Sequence, residues 1–344
     1  MRVLQTMAGA EAGGAETFFM RLALGLKEHG IEQSFVIRPD PRRERALQAS
    51  GMAVHTAPFG GLFDLSTRRT LRREIDAFRP EIVISWMNRA TAFCPRPTDK
   101  SPFVHIGTPR GYYDPKYYRH CDHLVVTTSD LKAFYGRSGW TDERVSVIPN
   151  FVPEASGDPL SRKTLHTPDD APVLLALGRL HENKGFDTLI DAVARLPGHY
   201  LWIGGAGPLE TDLKQRVMGL DIGDRVRFLG WRDDIPSLFA AADIFVCSSR
   251  HEPFGNIVIE SWMHGVPIVA AASEGPADLI DDGVNGLLTP LNDSAAMAGA
   301  ISRLAADPAL AAKLVEGGRK TYAAGYNVEI GCRRYSELFE RLAG

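Results

Sequence analysis

Cysteine is scarce: Cys94, Cys121, Cys247 and Cys332 are scattered through 344 residues, with no CxxC pair. That scatter excludes a disulfide framework or a cysteine-rich zinc site and predicts a reducing, cytoplasmic setting. No uninterrupted apolar run approaches the roughly 20 residues that a membrane-crossing helix needs. The opening MRVLQTM is a short apolar strand followed at once by a glycine-rich loop. It lacks the long apolar core of a secretory leader, so none is expected. Nor is charge of one sign in excess: the net charge is -3, with 44% hydrophobic and 24% charged residues. This is the composition of a globular chain, and no nucleic-acid partner is expected. Internal repeats and low-complexity tracts are also missing.

What is present is length and rhythm. A chain of 344 residues exceeds one ordinary core, so two domains are expected. Residues 1–150 carry a net charge of +5 and the remainder -8, so the first part is the one biased toward an anionic surface. Short apolar runs alternate with helical patterns, which predicts parallel α/β layers. In the first part VLQTM, QSFVIR, EIVISWM, PFVHI and HLVVTT read as strands, and residues 15–29 as a helix. The stretch 153–172, rich in Pro, Asp and Ser, reads as a linker. Beyond it PVLLALGRL, YLWIGG, VRFLG, IFVCSS, PIVAA and GLLTP read as strands with helices between them. The expected architecture is two Rossmann-like, doubly wound domains, 1–157 and 158–326, facing each other across a cleft. In such sheets ligands bind beyond the carboxyl ends of the strands, so the loops there carry the chemistry.

Three of those loops stand out. AGAEAGGAE, residues 8–16, lies between a strand and a helix, where Gly13 and Gly14 would let backbone amides approach an anion. A plain tight turn is the alternative, and the glycines do not fit GxGxxG. In LGRLHENKGFDTLIDAV, residues 177–193, Arg179 and Lys184 lie five residues apart in one strand-to-helix loop. A planar fork and a point charge so placed can clamp a diphosphate; two solvated surface cations are the alternative. In SSRHEPFGNIVIESWMHGVPIVA, residues 248–270, Glu252 and Glu260 are eight apart, about two helical turns. Carboxylates accept two hydroxyls at once and can hold the diols of a sugar and a ribose. The amides of Phe254, Gly255 and Asn256 suit phosphate or sugar oxygens. A helix-capping acid and a buried, backbone-satisfied glutamate are the alternative.

With these motifs the chain resembles a family 4 glycosyltransferase of the GT-B fold. The likeness runs from GGAE at 13–16 through VIPNFV at 147–152, GRLHENKGFDTLIDA at 178–192 and GGAGPLE at 204–210 to residues 226–270 and GVNGLL at 283–288. It implies that Arg179 and Lys184 bind the donor's diphosphate and neutralise the leaving group. It also implies that Glu252 contacts the transferred sugar and Glu260 the nucleotide ribose. Gly13 and Gly14 would supply backbone contacts, Trp231 and Arg232 would sit against the base, and Phe254, Gly255, Asn256 and Ile257 would line the donor. The family's catalytic histidine has a counterpart in His105, displaced by two or three residues and equally readable as a buried strand histidine. Arg110, Tyr112 and Tyr113 are alternatives for that place. The resemblance further implies retention of anomeric configuration and no cofactor or metal, the donor being a UDP- or GDP-linked sugar. Asp233–Asp234 and Asp281–Asp282 read as turn and cap residues. The last helix, 327–344, is implied to return to the first domain. The acceptor would be a glycan or lipid-linked saccharide of bacterial lipopolysaccharide or polysaccharide synthesis. A sugar-nucleotide epimerase or hydrolase and a non-catalytic GT-B subunit are the rival readings. A nicotinamide oxidoreductase lacks its glycine fingerprint here.

One segment raises the question of location. PFGGLFDLSTRRTLRREIDAF, residues 58–78, joins an apolar loop (Phe59, Leu62, Phe63) to a helix with Leu71, Ile75 and Phe78 on one stripe. Arg68, Arg69, Arg72 and Arg73 lie largely off that stripe. Two readings are open, an ordinary surface helix and a peripheral docking face for an anionic membrane.

Overall fold

A computed structural model describes residues 1–10, 13–61 and 63–344. The chain forms two compact units, Met1–Phe151 with Asn327–Gly344, and Val152–Tyr326.

The first unit holds a seven-stranded sheet of β1 (Arg2–Met7), β2 (Glu32–Ile37), β3 (Ala53–Thr56), β4 (Ile82–Trp86), β5 (Val104–Thr108), β6 (His123–Val126) and β7 (Val145–Val147). Its order is β3-β2-β1-β4-β5-β6-β7, and every neighbouring pair is parallel. A parallel sheet is covered on both faces, so its inner strands are mostly apolar and nearly all buried, the polar Gln5, Thr6, Ser85 and His105 included. Alternation sorts them: Val3, Ile82 and Ile84 enter one core layer, while Leu4 and Val83 enter the other. The helix Gly14–Glu28 closes the first layer with Phe18, Phe19 and Leu22; the helix Leu65–Phe78 closes the second with Leu71 and Ile75. The helix Val328–Ala343 adds Cys332, Tyr335 and Phe339 to the layer of Phe18 and Phe151. The edge strands β3 and β7 are not marked in the sequence; they are four and three residues long and only partly buried.

The second unit holds β8 (Val173–Leu177), β9 (Tyr200–Gly204), β10 (Val226–Gly230), β11 (Ile244–Cys247), β12 (Ile268–Ala271) and β13 (Leu287–Thr289). The order is β10-β9-β8-β11-β12-β13, again parallel throughout. This is the doubly wound arrangement, and its order reverses between β8 and β11. The loops leaving those two strands therefore flank the crevice where such a sheet takes its ligand. The predicted linker is fastened to this unit: Arg162 donates to Ala241 O, Ala171 O and Asp243, each at 2.9 Å. Its Pro- and Ser-rich composition reflects lack of regular structure over 153–161, not lack of anchorage.

Candidate functional site

The loops after β8 and β11 are knitted backbone to backbone. The first ends in a short turn, Glu182–Lys184, followed by Gly185 at φ 61°. A β-carbon on Gly185 would lie 2.2 Å from Ser248 O, so glycine here is what lets the two loops touch. Arg250 N and His251 N both donate to Asn183 O, at 2.8 and 3.2 Å, and Ser248 Oγ donates to Lys184 O at 2.9 Å. The result is that the Lys184 ammonium pairs directly with the Glu252 carboxylate. Burial works against the Lys184 charge, but Glu252 outweighs it and holds the ammonium above its ordinary pKa. Arg179, from the same first loop, is exposed.

Glu252 is held from behind. The Glu274 carboxylate accepts from Glu252 N at 3.2 Å and pairs with His251 Nδ1 at 2.8 Å, while Gly275 N donates to Glu252 O at 2.7 Å. Phe254 anchors the loop in the core. Asn183, Glu274 and Gly275 were not singled out in the sequence: Asn183 and Gly275 act through backbone groups, and the Glu274 carboxylate meets a main-chain amide more than 20 residues away, which no motif spells. The helix Asn256–His264 begins only after Gly255, at φ 95°. Glu260 therefore lies about one turn into the helix, while Glu252 precedes it in the loop, as their spacing about Pro253 and Gly255 suggests. The first-turn amides of Asn256 and Ile257 belong to that helix's N-terminus, the electropositive end. Trp231, at the end of β10, is 67% exposed, its Nε1 donating to Asp233 at 3.1 Å. Arg232 is already committed to Asp234 through two hydrogen bonds.

In the first unit, Glu11 and Ala12 of the glycine-rich loop lie outside the described residues. Gly13 precedes the helix Gly14–Glu28. The buried Glu16 carboxylate turns back to accept from Ala10 N at 2.8 Å, and a β-carbon on Gly13 would lie 2.4 Å from it. A carboxylate thus lies beside Gly13, where Gly13 and Gly14 were expected to offer backbone amides to phosphate or sugar oxygens.

The structure corrects the catalytic reading of His105. It is 2% exposed within β5, with Nε2 hydrogen-bonded to Ser85 Oγ at 2.8 Å. Burial pushes its pKa down to about 4. It is a neutral core histidine, not a group that touches substrate. Arg110 is also structural: its guanidinium lies 4.7 Å from the Phe18 ring and 4.5 Å from the Trp86 ring, and donates to Asn150 at 2.9 Å. Among the described residues no group of three or more His, Cys, Asp or Glu side chains is placed to hold a metal.

The family described as Glycosyltransferase Family 4 matches residues 12–156, and Glycosyl transferases group 1 matches residues 171–307. The chain is 36% identical over 334 residues to the lipopolysaccharide core biosynthesis glycosyltransferase LpsE of Rhizobium meliloti, covering 95% of each chain. It is 34% identical to LpsD of the same organism, over 99% of this chain and 98% of the relative. Among solved structures, Anabaena Alr3699/HepE in complex with UDP superposes with a TM-score of 0.84 at 20% identity, over 99% of this chain and 100% of that one.

Proposed function

Because this chain belongs to the family 4 glycosyltransferases and has their GT-B fold, we propose that it transfers a sugar, with retention, from a UDP-linked donor to an acceptor of the lipopolysaccharide core. The single observation that carries the donor side is the Lys184–Glu252 pair at the reversal point of the second sheet. Without donor, each of these groups satisfies the other. An arriving diphosphate takes Lys184 together with the exposed Arg179, and Glu252 is released to accept the hydroxyls of the transferred sugar. Glu260 reads the ribose, and the exposed Trp231 ring offers the base a platform. The uridine base is supported by the UDP bound to HepE, and the core acceptor by the names of LpsE and LpsD.

In the chemical step the bond from the anomeric carbon to the diphosphate oxygen breaks as the acceptor hydroxyl bonds to the same face. Its proton passes to the leaving phosphate. Arg179, Lys184 and the first amides of the helix Asn256–His264 stabilise the charge developing there. Two protein cations supply what a divalent ion would otherwise supply, so transfer is expected to survive EDTA.

The expected membrane contact belongs here too. Phe59 is buried in the core and Leu62 lies outside the described residues, but Phe63 is 95% and Leu65 57% exposed beside Arg68 and Arg69. These groups support peripheral attachment to an anionic surface that carries the acceptor. No helix among the described residues is long and apolar enough to cross a membrane.

The deciding experiment is product analysis with UDP-sugars, with and without a lipopolysaccharide core acceptor. Acceptor-dependent UDP release with an α-linked product from an α-linked donor is the expected result. UDP release or sugar isomerisation independent of acceptor would favour the hydrolase or epimerase reading. Absence of any turnover alongside donor binding would favour a silent binding subunit.

A further inference from the structure

The first unit carries a second recess that the donor chemistry does not use. Its volume is about 1440 Å³, above the ~300–1,000 Å³ of an ordinary small-ligand pocket. One wall is the exposed side of the helix Leu65–Phe78, with Arg68, Arg69 and Arg72. A second wall is formed by residues 94–96, 116, 117, 119 and 120, with Arg96, Lys116 and Arg119. Asp76 is the one carboxylate in the lining among the described residues, and it is occupied by Ser101 Oγ at 2.5 Å.

On the second wall Lys116 is paired with Asp114 at 2.7 Å, so the positive field there comes from Arg96 and Arg119. Arg96 Nη2 and Arg119 Nε both approach His120 Nε2, at 2.8 and 3.1 Å, so the ring accepts and is neutral. Partial burial and the guanidinium groups of Arg96 and Arg119 push the His120 pKa down, as expected in a positive field. On the first wall Arg68 lies 5.4 Å from the Phe93 ring, and Tyr117 across the recess is partly exposed. Guanidinium forks are suited to the carboxylate or phosphate substituents of a sugar. A planar bilayer would reach the rim of such a recess, not its depth.

We propose that this recess binds an anionic saccharide, one whose sugars carry carboxylates or phosphates. The proposal rests on the glycosyltransferase reading only for why a saccharide should be present; the site itself is built from residues outside the donor loops. It makes the negative groups of the acceptor the handle by which the enzyme recognises it.

The test is calorimetric titration of the full chain with tetragalacturonate, with maltotetraose as its uncharged counterpart, and with inorganic phosphate. Wild type is compared with Arg96→Gln/Arg119→Gln, two exposed changes that leave the arginines of the helix Leu65–Phe78 in place. Tetragalacturonate is expected to bind with an affinity that falls as salt rises, to lose about tenfold or more in the double variant, and to outcompete maltotetraose. Equal binding of maltotetraose, or no loss in the variant, would overturn the proposal. So would inorganic phosphate binding as tightly as the tetrasaccharide, which would make this a simple anion site. Binding of phosphatidylglycerol vesicles without binding of tetragalacturonate would reassign the recess to a lipid surface. UDP titrated into the same samples reports the donor loops separately: it should bind both proteins alike, and its failure with wild type would count against the donor reading alone.

Discussion

Lys184 and Glu252 are each other's partner until a donor arrives, so their contributions separate only when each is removed alone. Lys184→Ala is expected to weaken UDP and UDP-sugar together by one to two decades, since a charge-assisted hydrogen bond is worth about 1.5–3 kcal/mol. Unchanged calorimetric affinity for both would remove Lys184 from the diphosphate site. The two glutamates should differ in what they sense. Glu260→Gln should weaken bare UDP as well as the donor, whereas Glu252→Gln should spare UDP and depress turnover. Identical behaviour of the two variants toward UDP and donor would end that division of labour. His105 makes a different kind of prediction. Its folded pKa of about 4 lies below the ordinary value near 6.5, so the unfolded chain binds the proton first. The stability it contributes is complete above about pH 6.5 and is lost as pH falls toward 4. Denaturant unfolding should show that loss, at up to about 1.4 kcal/mol per pH unit for one proton, and His105→Gln should flatten the slope.

Elements follow the sequence where burial is two-sided and stray from it where it is not. The inner strands β1, β4, β8 and β11 are buried on both faces and mostly apolar, and were legible as strands. The short edges β3 and β7 bury little, so their residues carry no pattern to read. The site was legible to the same degree. Arg179, Lys184, Glu252 and Glu260 stand in loops and a helix start whose spacing is local. The supports of Glu252, namely the main chains of Asn183 and Gly275 and the carboxylate of Glu274, are brought in by the fold. His105 deceived because a buried polar residue in a strand and a catalytic one look alike until the partner, Ser85, is known. In the glycine-rich loop the sequence did not show that the Glu16 carboxylate turns back to bond Ala10 N. Helix packing gives a sharper test than any of these. A β-carbon on Gly331 would lie 1.9 Å from the Phe151 ring, and overpacking of this kind costs about 1–3 kcal/mol. Gly331→Ala should lower the midpoint of thermal unfolding, and an unchanged midpoint would mean that the helix Val328–Ala343 does not seat as described.

At the scale of the whole molecule, the first unit is assembled from two stretches of chain that are distant in sequence. Its core needs Phe151 on one side and Cys332, Tyr335 and Phe339 on the other. All of Val152–Tyr326 is synthesised between them, which at cellular elongation rates takes roughly 10–35 s. During that interval the seven-stranded sheet is complete in its strands yet lacks one helix of its cover, and Phe18 and Phe151 stay open to water. The second unit, by contrast, is continuous and can close on the ribosome as soon as Tyr326 has emerged. The segment made first is therefore the last to become fully native. For this protein the hazard of synthesis is a waiting apolar face, and the window in which a chaperone is needed is set by the length of the insert rather than by the difficulty of either sheet.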